Sequence, residues 1–582
     1  MAKRESLVKE NPREIRKFTN EKLNKKESIP SSLSFDGSNF SDPQIVADKF
    51  TDIFEKLYTP DNSCSSLVEA HLPISSNNDN QPITKEEVIE ALRKLKGSSS
   101  CGPDLIPPYI IKGCGEHLTM PLCYLFNLCI KCSVYPRMWK SSRICPIFKK
   151  GDRNDAQNYR AISILNCFSK CLETILYKRL LHHTKSFIAP EQHGFMKGRS
   201  TVTNLCVFTS SVSECLNNKN SVDCIYFDFS KAFDTVNHSI LILKLINDFE
   251  IPMYLVALLK NYLEGRTQYV AYRGACSKIF RPVSSVPQGS NLGPLLFNLF
   301  INDLPKYIKN STALMYADDL KVFRIVNDEN EAELLQRDVD NISEWLLLNK
   351  MQLNKNKCET MHFTCKRSTN ARKYIVDGTY IKAANVIKDL GVLIDNKLTF
   401  QSHIVQTAKS ANKILSFLTR LGHHFQNVST LVFLYNGLVR SRLEYASVIW
   451  NPTCSSYIQC VEKVQKRFLR FLYFRDCGVY PHYLRHPVST DELLLKFNYV
   501  TLKKRRTYND CLFIYKILNN YTDCSVILGE IKFKVNIKNT RHQNLIVGSL
   551  NKKSPLNKII KNFNNQNCDP FCPIKIFISQ LL

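Results

Sequence analysis

Two rhythms of apolar and polar positions run along this chain. Residues 1 to about 80 are polar, rich in Lys, Glu, Ser and Asn. Within them Ile45, Phe50, Ile53, Phe54 and Leu57 fall on one helical face, which predicts a helix over 45–57. Residues 30–39 and 75–81 read as linkers. From about Ile83 the texture becomes that of a folded domain. Thr84, followed by Glu86 and Glu87, marks a helix start, and Val88, Ala91, Leu92 and Leu95 carry its apolar stripe as far as Gly97. Helices and short strands then alternate to about Phe400. Residues 222–229 are a short β-rich run that ends on an acidic residue. Residues 314–323 put two apolar arms around Ala317-Asp318-Asp319, the pattern of a hairpin turning on carboxylates. Residues 389–400 read as another short hairpin. After Phe400 the period is helical, with Ile404, Ile414, Leu415, Leu418, Leu431, Leu434, Leu438 and Val439 as face positions. Roughly the last fifty residues are Asn- and Lys-rich and carry no clear period.

Charge adds a partner to this picture. The chain has 582 residues and a net charge of +27, with 44% apolar and 23% charged positions, an ordinary globular balance. Residues 401–582 hold 26 Lys and Arg against 9 Asp and Glu, so the excess gathers in the last third. A basic lobe beside a more balanced remainder points to a polyanion, nucleic acid above all. The 22 cysteines form no disulfide framework, the start has no secretory pattern, and no apolar run would span a bilayer. The chain therefore reads as intracellular, with reduced thiols and no membrane partner.

The carboxylates supply the chemistry. An Asp taken singly is most often a turn or cap residue. An Asp-Asp pair inside a run as apolar as Leu314-Met315-Tyr316-Ala317 and Leu320-Lys321-Val322-Phe323 is different, because two like charges there repel unless a cation lies between them. Asp228, at the end of another apolar strand, could complete such a site. Magnesium takes hard oxygen ligands and keeps phosphates and waters in its shell. Paired divalent ions are what nucleotidyl transfer needs, to activate a 3′-hydroxyl and stabilise leaving pyrophosphate.

These residues carry a resemblance. Tyr316-Ala317-Asp318-Asp319 resembles the signature turn of reverse transcriptases. Phe227-Asp228-Phe229-Ser230-Lys231-Ala232-Phe233-Asp234 and Val286-Pro287-Gln288-Gly289-Ser290-Asn291-Leu292-Gly293 resemble the two palm motifs that precede it, in order. Upstream, Asn158-Tyr159-Arg160 and Gln192-His193-Gly194-Phe195 follow the family's path. Downstream do Leu353-Asn354 leading to Lys357, and Leu390-Gly391-Val392. The runs around Leu443-Glu444-Tyr445 and Ile449-Trp450-Asn451-Pro452 are similar to the thumb of non-LTR retrotransposon polymerases of the Jockey and CR1 type.

The resemblance implies an α+β right-hand polymerase: a connector over 1–81, fingers and palm over 82–400 with a split β-α-β palm sheet, a helical thumb and post-thumb region over 401–520, and a basic segment over 521–582. It implies an RNA-directed DNA polymerase that takes an RNA template, a DNA primer or target and deoxynucleoside triphosphates, with two Mg2+ ions and Mn2+ as a substitute. Asp228 and Asp318 would be metal ligands, joined by the carbonyl of Phe229, and Asp319 a supporting carboxylate. Phe233 would be the steric gate against ribose. Gln288 and Gly289 would lie under the template and incoming base pair, where glycine admits close backbone approach. Lys150 and Arg160 would grip the triphosphate, with Lys149 a competitor, and Lys357 would be the general acid for pyrophosphate. Insertion would place the chain in the nucleus, with the cytoplasm as the other location.

No endonuclease region is expected before the fingers, residues 11–13 and 48–50 resembling instead the connector that follows one. The chain reads as the polymerase portion of a longer polyprotein or a truncated copy. The alternative is a non-autonomous or inactive nucleic-acid-binding relic. Oligomeric state and template identity stay open. Cys129-x-x-Cys132 has no second pair at zinc spacing, and Cys477 with His482 and His486, with Cys454 and Cys460 nearby, is slightly more suggestive, but both are discounted in favour of buried Cys and surface His.

Overall fold

The computed structural model describes residues 29–58, 81–98, 100–366, 372–422, 425, 427–534, 545–547, 554–566 and 568–581. Residues 11–13 and nearly all of the 75–81 linker reading lie outside these. The chain opens with a hairpin of β1 (Leu33–Phe35) and β2 (Ser38–Phe40). This corrects the reading of 30–39 as a linker. Asp36 and Gly37 take the left-handed conformations of a two-residue hairpin turn, and Leu33 and Phe35 are buried. Next comes helix α1 (Pro43–Glu55), capped by Asp42. Its buried side is Val46, Ala47, Phe50 and Phe54. Ile45, expected on that face, is exposed instead.

Helix α2 (Lys85–Lys94) has the expected cap: Thr84 and Glu87 bond each other's backbone N–H, a capping box. Helix α3 (Gly115–Cys132) precedes the first large sheet, which contains β3 (Ser141–Phe148) and β4 (Tyr159–Ile164). Helices α4 (Cys167–Thr184) and α5 (Thr201–Asn217) lead into β5 (Val222–Asp228). Helices α6 (His238–Asn247) and α7 (Met253–Leu263) return the chain to the first sheet as β6 (Thr267–Tyr272) and β7 (Ala275–Cys276). The order there is β4-β3-β6-β7, with β3 and β6 parallel. Hairpin β1–β2 and α1 share a core with this sheet through Ile144, Tyr159, Ala161, Val270 and Tyr272.

Helix α8 (Gly293–Phe300) precedes the hairpin β8 (Thr312–Tyr316) and β9 (Asp319–Ile325). Helix α9 (Glu329–Leu348), β10 (Glu359–Phe363) and β11 (Lys382–Ala383) follow. The second sheet runs β11-β10-β5-β9-β8. Both its faces are buried, which is why its strands read as near-continuous apolar runs. Ile225, Phe227, Leu320 and Val322 face α8 and α9 in one core, while Val222, Cys224, Leu314 and Phe323 face α5 in another.

A last hairpin, β12 (Val386–Asp389) and β13 (Val392–Asp395), turns on Leu390-Gly391 and lies a few residues before the 389–400 expected for it. The rest is largely helical, as expected, apart from a short antiparallel pairing of Lys532–Phe533 with Ile546–Val547: α10 (Gln401–Gly422), α11 (Val428–Tyr435), α12 (Ser455–Cys477), α13 (Thr490–Lys496) and α14 (Leu502–Leu518). The Asn- and Lys-rich end contributes α15 (Pro555–Asn564) and α16 (Ile574–Leu581). Their Leu556, Ile559, Ile560, Phe563 and Phe577 join the core under α5 and the second sheet.

Candidate active site

Strand β5 pairs along its full length with β9, and the register sets Asp228 opposite Asp319. Cross-strand partners share a face, so two carboxylates meet at the sheet's end. The β8–β9 turn adds the third, Asp318. Like charges gather there. Burial raises the Asp318 carboxyl above the ordinary carboxylate range, with Asp228 adding to the rise and Arg160 and Lys149 opposing it. Asp319 is exposed at the mouth of the turn, yet its carboxyl is pushed to about 6 by loss of hydration, then by Asp318, Asp389 and Asp228, against Lys321.

The turn is over-determined. Ala317 sits at φ 57°, left-handed backbone that costs a non-glycine residue about 1 kcal/mol or more. The buried Gln192 side chain holds it: Oε1 accepts the N–H of Ala317 at 2.9 Å and of Gly194 at 2.7 Å. The flanking backbone is stitched as well, His193 N–H donating to the Met315 carbonyl and Met315 N–H to that of Glu191, both at 2.9 Å. A Cβ on Gly194 would lie 2.1 Å from the Ala317 nitrogen, so only glycine fits beneath the turn. Asn298 fixes the Gly194 carbonyl from α8 at 2.9 Å.

Beyond β5 the chain pairs with residues 352–354: Ser230 N–H donates to the Gln352 carbonyl at 2.8 Å and Asn354 N–H to that of Asp228 at 2.7 Å. That pairing brings Lys357 to the site, where Nζ lies 2.7 Å from Asp228 Oδ2. Phe229 is buried edge-on against Trp345, 6.5 Å between ring centroids. From the first sheet, Arg160 pairs across with Ile147. By strand alternation Lys149 shares that face and Lys150 takes the other. Lys149 is the lysine that acts on Asp318, and it faces Arg160, Lys357 and Asp228; partial burial first, then its cationic neighbours, lower its pKa. Lys150 is exposed at the strand end. Of the three competing cations, Arg160 and Lys149 are those whose charge acts on Asp318.

The two preceding motifs are sewn together. Val286 N–H donates to the Phe233 carbonyl at 3.0 Å, Ser285 N–H to that of Val236 at 2.9 Å, and the Ser284 hydroxyl to that of Asp234 at 2.7 Å. Phe233 is half-buried, stacked on Phe297 with centroids 4.6 Å apart and edge-on to Phe195 at 6.0 Å. Gln288 donates to the buried Asp234 at 2.8 Å. Burial pushes that carboxyl to about 6, while the Gln288 bond, Lys231 and Arg160 pull the other way. Gly289, at φ 117°, is approached by this chain's own backbone: a Cβ would lie 2.5 Å from the Ser163 carbonyl oxygen. The need for glycine therefore comes first from packing on β4, a reason the sequence reading did not supply.

Four side chains received no settled role in the sequence reading, Lys149 having been named only as a competitor. Lys149 needed the strand register, Asp234 the fold of the motif turn, and Gln192 the long-range pairing with the Asp-Asp turn. The fourth, Glu173 of α4, is fully buried and accepts the Asn291 N–H at 2.7 Å and the Tyr262 hydroxyl at 3.0 Å, holding the loop after Gly289. A Glu in an amphipathic helix carries no signal of that role. Gln192 and Asp234 each had one, lying in a run singled out for its family likeness.

Among the described residues, no three His, Cys, Asp or Glu side chains form a ready-made metal cage. What the site offers is a partial oxygen set whose mutual repulsion a cation would relieve, the kind magnesium accepts when phosphates and waters complete its shell. The donor chemistry fits the ion. The cysteines singled out by spacing have other surroundings. Cys129 is buried and its thiol is pushed to about 11 by burial. Cys477 accepts from Lys496 Nζ at 3.1 Å, while His482 packs on Tyr480 and Tyr483.

A family model for reverse transcriptase (RNA-dependent DNA polymerase) matches residues 147–408. The chain is 29% identical over 402 residues to a probable RNA-directed DNA polymerase from transposon X-element of Drosophila melanogaster, covering 67% of this chain and 44% of that one. It is 28% identical over 459 residues to one from transposon BS of the same fly, covering 76% and 48%. To the RNA-directed DNA polymerase from mobile element jockey it is 27% identical over 427 residues, covering 71% and 46%. The chain thus spans slightly under half the length of these curated relatives.

Proposed function

We propose, from the match to a reverse transcriptase family model and the similarity to RNA-directed DNA polymerases of mobile elements such as jockey, that the chain extends a DNA 3′ end on an RNA template using deoxynucleoside triphosphates. The observation that carries this is the collection of Asp228, Asp318 and Asp319 at one sheet end beneath the cationic pair Lys149 and Arg160. Asp228 and Asp318, with the Phe229 carbonyl, would hold two Mg2+ ions, for which Mn2+ substitutes, and Asp319 would support them. When bound, the ions supply activation of the 3′-hydroxyl and neutralisation of the leaving pyrophosphate. Arg160 and Lys149 orient the triphosphate over the carboxylates and offset its charge. Lys357, paired with Asp228 at the site, would donate a proton to the leaving pyrophosphate. Phe233, braced by Phe297, crowds a ribose 2′-hydroxyl, while Gln288 and Gly289 support the base pair. Use of a nicked chromosomal target as primer would place the reaction in the nucleus.

The test is extension of an oligo-dT primer on poly-A with dTTP, with and without magnesium. Wild-type protein extends only with the ion, and Asp318→Asn does not extend. A mutant that extends at the wild-type rate ends the assignment. Phe233→Ala should incorporate rUTP at least about tenfold more readily relative to dTTP, roughly the discrimination one steric contact supplies. Unchanged single-nucleotide discrimination would remove the gate role.

A further inference from the structure

Helices α10 and α12 pack together, and their solvent sides are basic. Helix α10 contains no carboxylate and exposes Lys409, Lys413 and Arg420 at near-helical spacing. On α12 the exposed positions Lys463, Arg467 and Arg470 step by four and three residues, and four more reach Phe474. The ion pairs of this region engage other groups: Arg440 and Arg505 with Glu444, Arg506 with Glu462, and Lys496 with Asp476. Among the described residues, a stripe of positive charge with no ion-pair partner thus runs along α12 to an aromatic residue at its end.

That end is a built feature. Gly478, at φ 77°, caps α12 through its N–H to the Phe474 carbonyl and turns the chain back. Tyr480 then stacks on Phe474, centroids 4.4 Å apart and planes within 8°. His482 lies 4.1 Å from Tyr483 and 5.6 Å from Tyr480. Backbone bonds from Tyr483 to Tyr480 and from Val488 to Pro481 close the loop. Arg475 anchors its base by donating to the Phe425 carbonyl at 2.7 Å, and Lys496 by bonding Cys477 and Asp476. Yet Tyr483 is 76% exposed, and Arg485 and His486 stand in solvent beside it. A soluble surface gains nothing from an ordered, exposed ring cluster of this kind, whereas unstacked bases bind rings and their phosphates bind the flanking cations.

We propose that the Phe474–Tyr480–His482–Tyr483 cluster and the Lys463–Arg467–Arg470 stripe form a binding site for single-stranded RNA, separate from the carboxylate site. The platform stands on geometry and charge alone. The choice of RNA over DNA rests on the template reading above, because RNA is the single strand that reaction draws in.

Binding is measured on the full chain without nucleotides or divalent ions, so its outcome does not depend on polymerisation. The probes are a labelled U30 RNA, a dT30 DNA and an RNA duplex, in fluorescence anisotropy. Tyr483→Ala should weaken U30 binding about five- to 150-fold, the range for losing one base–aromatic stack, and Tyr483→Trp should restore it. R467Q with R470Q should reduce the slope of log affinity against log salt by about 1.4, two phosphate contacts on a single strand. Unchanged U30 binding in both the tyrosine and arginine variants overturns the site. An equal loss on duplex overturns stacking, and a larger loss on dT30 than on U30 overturns the choice of RNA.

Discussion

Asp319 and Asp510 both have carboxyls pushed to about 6, and burial leads the causes in each, but their neighbours differ. Around Asp319 the next three influences are carboxylates, Asp318, Asp389 and Asp228, with Lys321 the opposing one. Around Asp510 the next are an Asn562 bond, Lys558, an Asn451 bond and Arg506, every one favouring the charge. Asn451 and Asn562 donate to Asp510 Oδ2 at 3.0 and 2.7 Å, and Arg506 donates to Asn451 at 3.1 Å. The α14–α15 cluster therefore surrounds its buried carboxylate with opposite charges and amide donors, although Asp510 Oδ1 and the Arg506 terminal nitrogens make no hydrogen bond among the described residues. The palm turn gathers three carboxylates whose repulsion Lys357, Arg160, Lys149 and Lys321 offset only in part, while Gln192, Asn298 and a tightly fitting Gly194 keep it from relaxing. Stored repulsion in a rigid frame is a mark of a site completed by something from outside.

If that contrast is right, removing one carboxylate from each place should have opposite consequences. Asp318→Asn should cut primer extension by at least about a thousandfold, the scale of several kcal/mol of lost charge stabilisation. It should not lower the urea midpoint, because it relieves repulsion. Asp510→Ala leaves Arg506 and Lys558 buried without their carboxylate, and should cost about 3–5 kcal/mol in urea unfolding. Extension per folded molecule should be retained. A stable Asp510→Ala that loses extension, or an Asp318→Asn that unfolds easily, would collapse the distinction.

The contrast also explains what the sequence revealed. The palm turn was legible because its function keeps local signals together: Tyr316 to Asp319 in an apolar hairpin, Asp228 at a strand end, Gln288-Gly289 between them. The helical period from Ile404 to Val439 was legible for the ordinary reason that one face is buried. What stayed hidden depends on contacts between distant residues. Lys149 and Lys150 differ only by a strand register with Arg160. The Asp510 cluster joins residues 451, 506, 510, 558 and 562, and no window of sequence contains it. The 33–40 hairpin is a different failure. Its Asp36-Gly37 turn was in plain view, but the serines around it masked Leu33 and Phe35, which find their core only against a sheet more than a hundred residues away.

A smaller effect tests the frame rather than the charges. Gln192 is a positioning residue, acting through the backbone of Ala317. Gln192→Ala removes two accepted hydrogen bonds from a strained turn, about 1–3 kcal/mol. It should lower kcat for extension about ten- to a hundredfold and leave KM for dTTP within about threefold, because the proposed triphosphate contacts, Lys149 and Arg160, lie on the other sheet. A loss confined to KM would mean that the turn does not need holding.

The smallest expected effect separates burial from repulsion inside the palm itself. Asp234 is buried and bonded by Gln288, with cations rather than carboxylates as its charged neighbours. Its folded carboxyl titrates near 6, above the ordinary value of 3.8 for the unfolded chain. The folded state therefore holds an extra proton between those values. Its stabilising contribution is complete below about pH 3.8 and is lost as pH rises through 6. Across that window Asp234→Asn should flatten the pH dependence of the urea midpoint by on the order of 2 kcal/mol, and the flattening should be the same with or without magnesium. A magnesium-dependent change would mean that Asp234 belongs to the cation-seeking group with Asp318 and Asp319. An unchanged profile would mean that Gln288 and the nearby cations already cancel its burial, which would make it a second self-answered charge like Asp510.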